Sequence, residues 1–420
     1  MTLAAETYGR QHSGGPTYSV SARTLGNGAL WFAIFLSGFV IREPAPYELY
    51  LVFLSVVWLA CGLKLRSEFG PLIICMMLYT AGGIAAIPLA TKFGDAAMYI
   101  AVTGFLAVTS IFYAAILAET PERYRVIQTA LIFGSLFAAF AGIAGYFNLF
   151  PSADFFTRYG RARGTFEDPN VFGPFLILPI LLLMQGLFRR PLHLNGAAIL
   201  FLPVLVLALF LSFSRGAWGA VVVASLILYV LALASERNAF KRGRLVAVGV
   251  FGLLAVIGLL GIALSIDSIA EMFQQRAKLV QEYDGARLGR FARYALGFEL
   301  IMDKPLGIGA LEFNKYFPED EHNVYLKGFT TYGWLGGITY LFMAVWTVVA
   351  LLGVIFKNRV WAPFAQCVFA ALVAHLLLSL VIDTDHWRHM YMLYGLAWGF
   401  IAADKIEVRR RQRGIMSPSS

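Results

Sequence analysis

The sequence predicts an all-α, polytopic membrane protein with about twelve transmembrane helices and one large helical loop on the outward side. Three observations lead there. Apolar residues make up 59% of the 420-residue chain against 14% charged, at a mean hydropathy of +0.69, outside ordinary soluble composition. The apolar residues gather into stretches close to the length that a bilayer-crossing helix needs, about 20 residues. One interval, roughly Asp267 to Glu321, is too polar to lie in lipid.

The apolar stretches run at about 25–41, 47–63, 69–90, 95–118, 126–150, 170–188, 194–212, 216–234, 245–266, 328–356, 361–382 and 389–403. An even number of spans puts both termini on one side. That side holds Arg10, Arg23, Lys64, Arg66, Arg123, Arg125, Arg189, Arg190, Arg237, Lys241, Arg242, Arg244, Lys357, Arg359 and the five basic residues from Lys405 to Arg413, nineteen of the 34 Lys and Arg. The opposite short loops hold seven and the long interval, with Lys327 at its edge, eight. Basic residues favour the cytoplasm, so both termini are expected there and the long interval outside. The net charge of +9 then reflects topology and contact with membrane lipids, with no nucleic-acid partner implied.

The organisation follows: a cytoplasmic tail over 1–24, a membrane domain over 25–403 containing an outward loop at 267–327, and a basic cytoplasmic tail at 404–420. The first 24 residues have no apolar core followed by a small-residue cleavage site, so the first span is expected to act as an uncleaved anchor. Cys61, Cys75 and Cys367 lie in apolar runs, and neither a disulfide framework nor a thiolate metal site is expected.

Chemistry is expected in the outward loops, where basic residues cluster in four places. The first is the stretch from Arg158 to Asn170, with Arg161 and Arg163 ahead of Gly164-Thr165-Phe166. Asp168 suits a helix cap there and Pro169 a first-turn position. The second is Ser212-Phe213-Ser214-Arg215-Gly216, so short that the Arg215 guanidinium must sit near the membrane boundary, either snorkelling or binding. The third is the long interval, where two amphipathic helices are expected: Ile269 to Tyr283, and Leu288 to Met302, ended by Asp303-Lys304-Pro305. Arg287, Arg290 and Arg293 recur every three residues along the second. With ten acids against seven bases from Asp267 to Glu321, the interval is no general basic patch. The fourth runs from Asp383 to His389.

Arginine suits a diphosphate because its planar fork donates two parallel hydrogen bonds and stays charged at any working pH. The interval delivers His322 to the mouth of the next span, followed by Asn323. An imidazole there has an unperturbed pKa near neutrality and suits a general base. Asp383, Asp385, His386 and His389 have metal-ligand composition, but they straddle a span entrance among Trp387, Tyr391 and Tyr394. That pattern reads as an interfacial anchor, so no metal and no cofactor is expected.

Arg161-Ala-Arg-Gly-Thr-Phe-Glu-Asp-Pro-Asn170, Ser212-Phe-Ser-Arg-Gly-Ala217, Arg290 ahead of Pro305-Leu-Gly-Ile-Gly309, and His322-Asn-Val-Tyr-Leu326 followed by Tyr332-Gly-Trp-Leu-Gly-Gly337 resemble the bacterial O-antigen ligase and polymerase family. The resemblance covers roughly residues 125–403 in motif order. It implies a metal-independent glycosyltransferase of the bacterial inner membrane that uses a saccharide carried on undecaprenyl diphosphate. A ligase passes the glycan to lipid A-core; an O-antigen or exopolysaccharide polymerase passes it to another lipid-linked repeat unit. On the resemblance, His322 activates the acceptor, and Arg215, Arg290 and one of Arg161 and Arg163 hold the diphosphate. Asn170, Asn323, Arg287 and Arg293 are supporting candidates. A polysaccharide or lipid-linked-sugar transporter is the competing class, but it calls for charges near the bilayer midplane; here they concentrate at one face.

Overall fold

A computed structural model describes residues 21–42, 44–276 and 289–414. The end of the first expected interval helix and Arg287 lie outside these residues, as does the side chain of Arg290. The rest is almost entirely helical. α1 (Ala22–Leu36), α2 (Pro46–Ala60), α3 (Gly70–Ala86), α4 (Phe93–Glu119) and α5 (Tyr124–Tyr146) come first. A small hairpin of β1 (Thr157–Arg158) and β2 (Arg161–Ala162) follows, then α6 (Pro169–Phe175), α7 (Ile177–Arg189), α8 (Gly196–Leu211), α9 (Arg215–Ser235) and α10 (Ala239–Leu264). The polar interval contributes α11 (Asp267–Arg276) and α12 (Arg290–Met302), and α13 (Val324–Leu352), α14 (Ala362–Leu378) and α15 (Arg388–Gln412) complete the chain.

Each of the twelve apolar stretches contains a helix, but the count of spans is a different matter. Among the described residues, 7 helical segments are long and apolar enough to cross a membrane: Ser67–Leu89, Phe93–Glu119, Pro121–Tyr146, Pro169–Arg189, Arg215–Ser235, Ala239–Leu264 and Val324–Leu352. α2, α8 and α14 are shorter apolar helices. α1 has only 15 residues, and the second half of α15 carries Arg409, Arg410 and Arg411. Seven helices thus meet that measure among the described residues, with three shorter apolar helices beside them, and about twelve spans stays an expectation. The chain is a helical, multi-pass membrane protein.

The core centres on α15, which packs on α4 and on α14 and is buried from Arg388 to Asp404. This helix packs along α4 so closely that a Cβ on Gly395 would stand 2.4 Å from the Ser110 carbonyl oxygen. Backbone approach of this kind gives dispersion contact where lipid removes the hydrophobic drive between helices. α10 lies at the other extreme, with most of its length exposed and only Leu245 and Ala263 buried, as an apolar helix bathed in lipid would be. Buried polar groups pair across helices: Gln185 Nε2 donates to Gln366 Oε1 at 3.0 Å, and Trp398 Nε1 to Thr347 Oγ1 at 3.0 Å.

Ion pairs tie both ends of the bundle. At the end away from His322, Arg359 reaches Asp404 at 2.8 Å and Arg409 reaches Glu68. At the His322 end, Arg388 Nε donates to Glu48 Oε1 at 2.9 Å, joining the starts of α15 and α2. The Arg359–Asp404 and Arg388–Glu48 pairs are buried and so little screened, and losing one partner strands the other charge.

Candidate active site

The Arg158–Asn170 stretch folds as a hairpin that sorts its arginines. Tyr159 and Gly160 both have positive φ, +56° and +69°, the signature of a tight two-residue turn matched to strand twist. The register sets Arg158 opposite Arg161 and Thr157 opposite Ala162. Arg161 points inward and is only 6% exposed. Its Nε donates to the Ser212 carbonyl at 2.7 Å and its Nη2 to Asn170 Oδ1 at 2.7 Å. Arg163 is half-buried, forked onto the Phe155 carbonyl at 3.1 and 2.7 Å, with its guanidinium 5.3 Å from the Phe155 ring centre. Arg161 is thus a strut between two loops, and Arg163 stays nearer the surface.

The helix entry follows the sequence expectation. Asp168 caps α6 by accepting from Asn170 N at 2.6 Å, and Pro169 takes the first helical position. The stretch is also fastened to the end of α1, where Val40 N donates to the Thr165 carbonyl at 2.7 Å and Thr165 Oγ1 to the Gly38 carbonyl. On the far side of the Arg161 strut, Phe213 turns the chain at φ +47° and Ser214 caps α9. Arg215 is the first residue of that helix, half-buried at its positive end. Two of the four basic clusters therefore share one place.

In the interval, Arg290 opens α12. Arg293, 2% exposed, is held by Glu319 at 2.7 Å and so braces the interval. The Pro305–Gly309 segment then does something the sequence did not reveal. α13 is broken at Gly333, whose φ of +67° and ψ of −176° only glycine adopts readily. Ile308 N and Gly309 N donate to the Thr330 carbonyl at 2.7 and 3.2 Å, and Trp334 N donates to the Pro305 carbonyl at 2.9 Å. The loop thus supplies bonds that the broken helix lacks. Gly307, at φ +78°, lies so close that a Cβ would stand 2.4 Å from the Thr330 oxygen. Glu312, accepting from Thr91 N at 2.8 Å and Lys315 at 2.6 Å, anchors the interval to the α3–α4 connection; although burial alone would raise its pKa, Lys315 and the Thr91 donors hold it below the usual carboxylate range.

His322 stands at the start of α13, its side chain 40% exposed and its backbone at φ +47°. Tyr294 of α12 donates to its carbonyl at 2.9 Å, and Asn323 caps the helix through Tyr325 N and Leu326 N at 3.0 and 3.1 Å. His322 Nδ1 faces Asp383 Oδ2 at 3.7 Å. Lys327 faces the same oxygen at 3.4 Å and Asp385 Oδ1 at 3.9 Å. Burial pushes Asp383 above the usual carboxylate range, with Lys327 opposing. Asp385 is pushed the same way by burial, but Lys327, His386 and the Tyr99 hydroxyl outweigh that and hold it low. Glu321, buried and bonded by Thr330 Oγ1 at 2.6 Å, is raised by burial to about 7.

The two halves of the site adjoin at the end of α14, where a Cβ on Gly216 would stand 2.6 Å from Leu378 Cδ1. Phe175 packs on the His389 ring at 6.1 Å, one residue past the Arg388–Glu48 pair, and Val324 N donates to the Ser379 carbonyl at 3.0 Å. His386 bonds Thr103 at 3.0 Å while His389 faces His375 at 5.1 Å between ring centres, so the histidines of the fourth cluster diverge. No group of three metal-ligating side chains occurs among the described residues. Asp383 and Lys327 were not expected as members of the His322 cluster. Lys327 carried a usable signal, a charge within the first turn of a span, which marks a functional position by default.

This end of the molecule defines a helical membrane protein that gathers arginines, a histidine and buried carboxylates in loops between spans. Residues 198–341 match the family model described as O-Antigen ligase. The match spans the Ser212–Ala217 turn, α12, the Pro305–Gly309 clasp and His322, and it supports the O-antigen ligase/polymerase family for this chain. No curated protein matches the chain.

Proposed function

We propose that the protein transfers a glycan from undecaprenyl diphosphate to an acceptor hydroxyl at the periplasmic face of the bacterial inner membrane, with lipid A-core as acceptor. The observation that carries this reading is that His322, facing Asp383, and the Arg215 turn, which Arg161 fastens in place, both lie against the end of α14: Gly216 packs on Leu378 and Val324 N bonds the Ser379 carbonyl. Asp383 faces Nδ1, which leaves Nε2 of His322 to take the acceptor proton. The acceptor oxygen then forms its bond to the anomeric carbon while the bond from that carbon to the diphosphate oxygen breaks. A single displacement of this kind inverts the anomeric configuration. The leaving undecaprenyl diphosphate gathers negative charge, and Arg163, Arg215 and Arg290 stabilise it without reorganising. Arg161 supports them from behind. Fixed guanidinium groups replace a metal in this scheme, so transfer continues in EDTA.

Substituting single residues in a gene-deleted strain and reading the lipopolysaccharide ladder tests the proposal. His322→Ala is expected to abolish capped lipopolysaccharide at normal protein levels, and Arg215→Ala or Arg163→Ala to cut transfer about a hundredfold, as loss of one oxyanion donor does. Arg161→Ala is expected to lower both transfer and protein abundance, because its two bonds join separate loops. Full transfer by His322→Ala would sink the assignment. A single-repeat cap or loss of exopolysaccharide in the deletion strain would replace ligase by polymerase.

A further inference from the structure

Lys327 lies in the first turn of α13, 8% exposed, where an unpaired ammonium would be costly. Its Nζ is 3.4 Å from Asp383 Oδ2, 3.9 Å from Asp385 Oδ1 and 5.6 Å from the centre of the Tyr99 ring. Asp383 Oδ2 is also the oxygen that faces His322 Nδ1 at 3.7 Å. A lysine and a histidine from one helix start thus share one carboxylate oxygen, while Asp383 Oδ1 is buried with no hydrogen-bond partner among the described residues. Asp385 is held separately, accepting from Tyr99 and, at 3.4 Å, from Tyr332. A carboxylate with one oxygen unbonded has little else to fix its direction.

We propose that Lys327 is a positioning residue for the transfer, its ammonium holding the Asp383 carboxylate in the direction from which it faces His322. The proposal rests on His322 being the base. It adds a second function for the buried pair beyond cancelling charge. The groups facing Lys327 are Tyr99 from α4, Glu321 from the end of the interval, Tyr332 of its own helix, and Asp383 and Asp385 from the α14–α15 connection, with His322 facing Asp383 in turn. All three acids become harder to ionise when the ammonium is removed. Asp383, facing His322 at 3.7 Å, then keeps its proton to higher pH. The acid limb of the rate profile must move upward.

The experiment uses the full chain in detergent or vesicles, undecaprenyl-diphosphate-linked glycan extracted from a ligase-deficient strain, and rough lipopolysaccharide as acceptor. Lys327→Met is expected to lower kcat at least about tenfold at pH 7 with the donor KM nearly unchanged, and to move the acid limb up by about one pH unit. Lys327→Arg, which keeps the charge, is expected to restore the limb. In an Asp383→Asn background Lys327→Met should add little further loss, since nothing is left to position. An unmoved limb, a pure KM effect or additive losses with Asp383→Asn would each overturn the role of Lys327. With His322→Ala inactive, those outcomes remove Lys327 alone; an active His322→Ala removes the base as well.

Discussion

Glu321 shows at the scale of a single residue how the site is poised. Burial raises its carboxyl to about 7, against the pull of Lys327 and the Thr330 hydroxyl. Between the unfolded value of ~4.3 and that point, the folded chain keeps a proton that the unfolded chain has lost. The contribution of Glu321 to stability is therefore complete at low pH and is lost as pH rises toward 7. Glu321→Gln is expected to unfold at a higher temperature than the wild type at pH 8 and at about the same temperature at pH 4, measured by thermal scans in detergent; a gap of equal size at both pH values would refute the sign. Residue identities were partly legible beforehand. The cap at Asp168 and the place of His322 at a helix mouth follow from type and local spacing, the roles of His322 and Arg215 come from the family resemblance, and Arg161 and Arg163 differ only through the turn at Tyr159-Gly160. Aromatic-glycine is a weak turn signal, so nothing local said which arginine would point inward.

Elements were legible where hydropathy alone decides them and illegible where distant partners do. The apolar stretches all became helices, because any other backbone would leave its polar groups unsatisfied in lipid. Pro305-Leu-Gly-Ile-Gly309 reads as a helix breaker, and it is one. Its further part, bonding the carbonyl of Thr330 across the gap in α13, needs a contact that sequence spacing does not encode. Gly307→Ala tests that clasp: at φ +78°, with Thr330 oxygen 2.4 Å from the new Cβ, it is expected to cost ~1–3 kcal/mol, read as a lowered unfolding temperature. Gly258→Ala on α10, where a Cβ meets nothing within 4 Å, serves as the matched control and should be neutral or mildly stabilising, by up to ~1 kcal/mol. Equal losses for the two would show that the clasp carries no stability.

Across the whole molecule, the bundle is pinned at both ends by charge and loosely dressed at its rim by α10. The candidate site draws on the α1 end, β2, α6, the α9 start, α12, α13 and the α14–α15 connection, so its formation depends on the complete assembly. The break at Gly333 has a mechanical consequence for this arrangement. A continuous α13 would act as a rigid rod, and any tilt imposed by bilayer thickness at its far end would swing His322 and Lys327 away from Asp383. The rod is interrupted at Gly333, and the Pro305–Gly309 loop is bonded to both pieces, to Thr330 on the His322 side and to Trp334 beyond the break, so the clasp is expected to hold the His322 end in place against such tilt. Transfer by the wild type should then change by less than about twofold between vesicles of short and long acyl chains, since mismatch costs only fractions of a kcal/mol per ångström, whereas Gly307→Ala, with its clamp loosened, should respond to chain length. In engineering terms the loop works as a splint across a cut rod, and a loosened splint should let the two pieces move against each other.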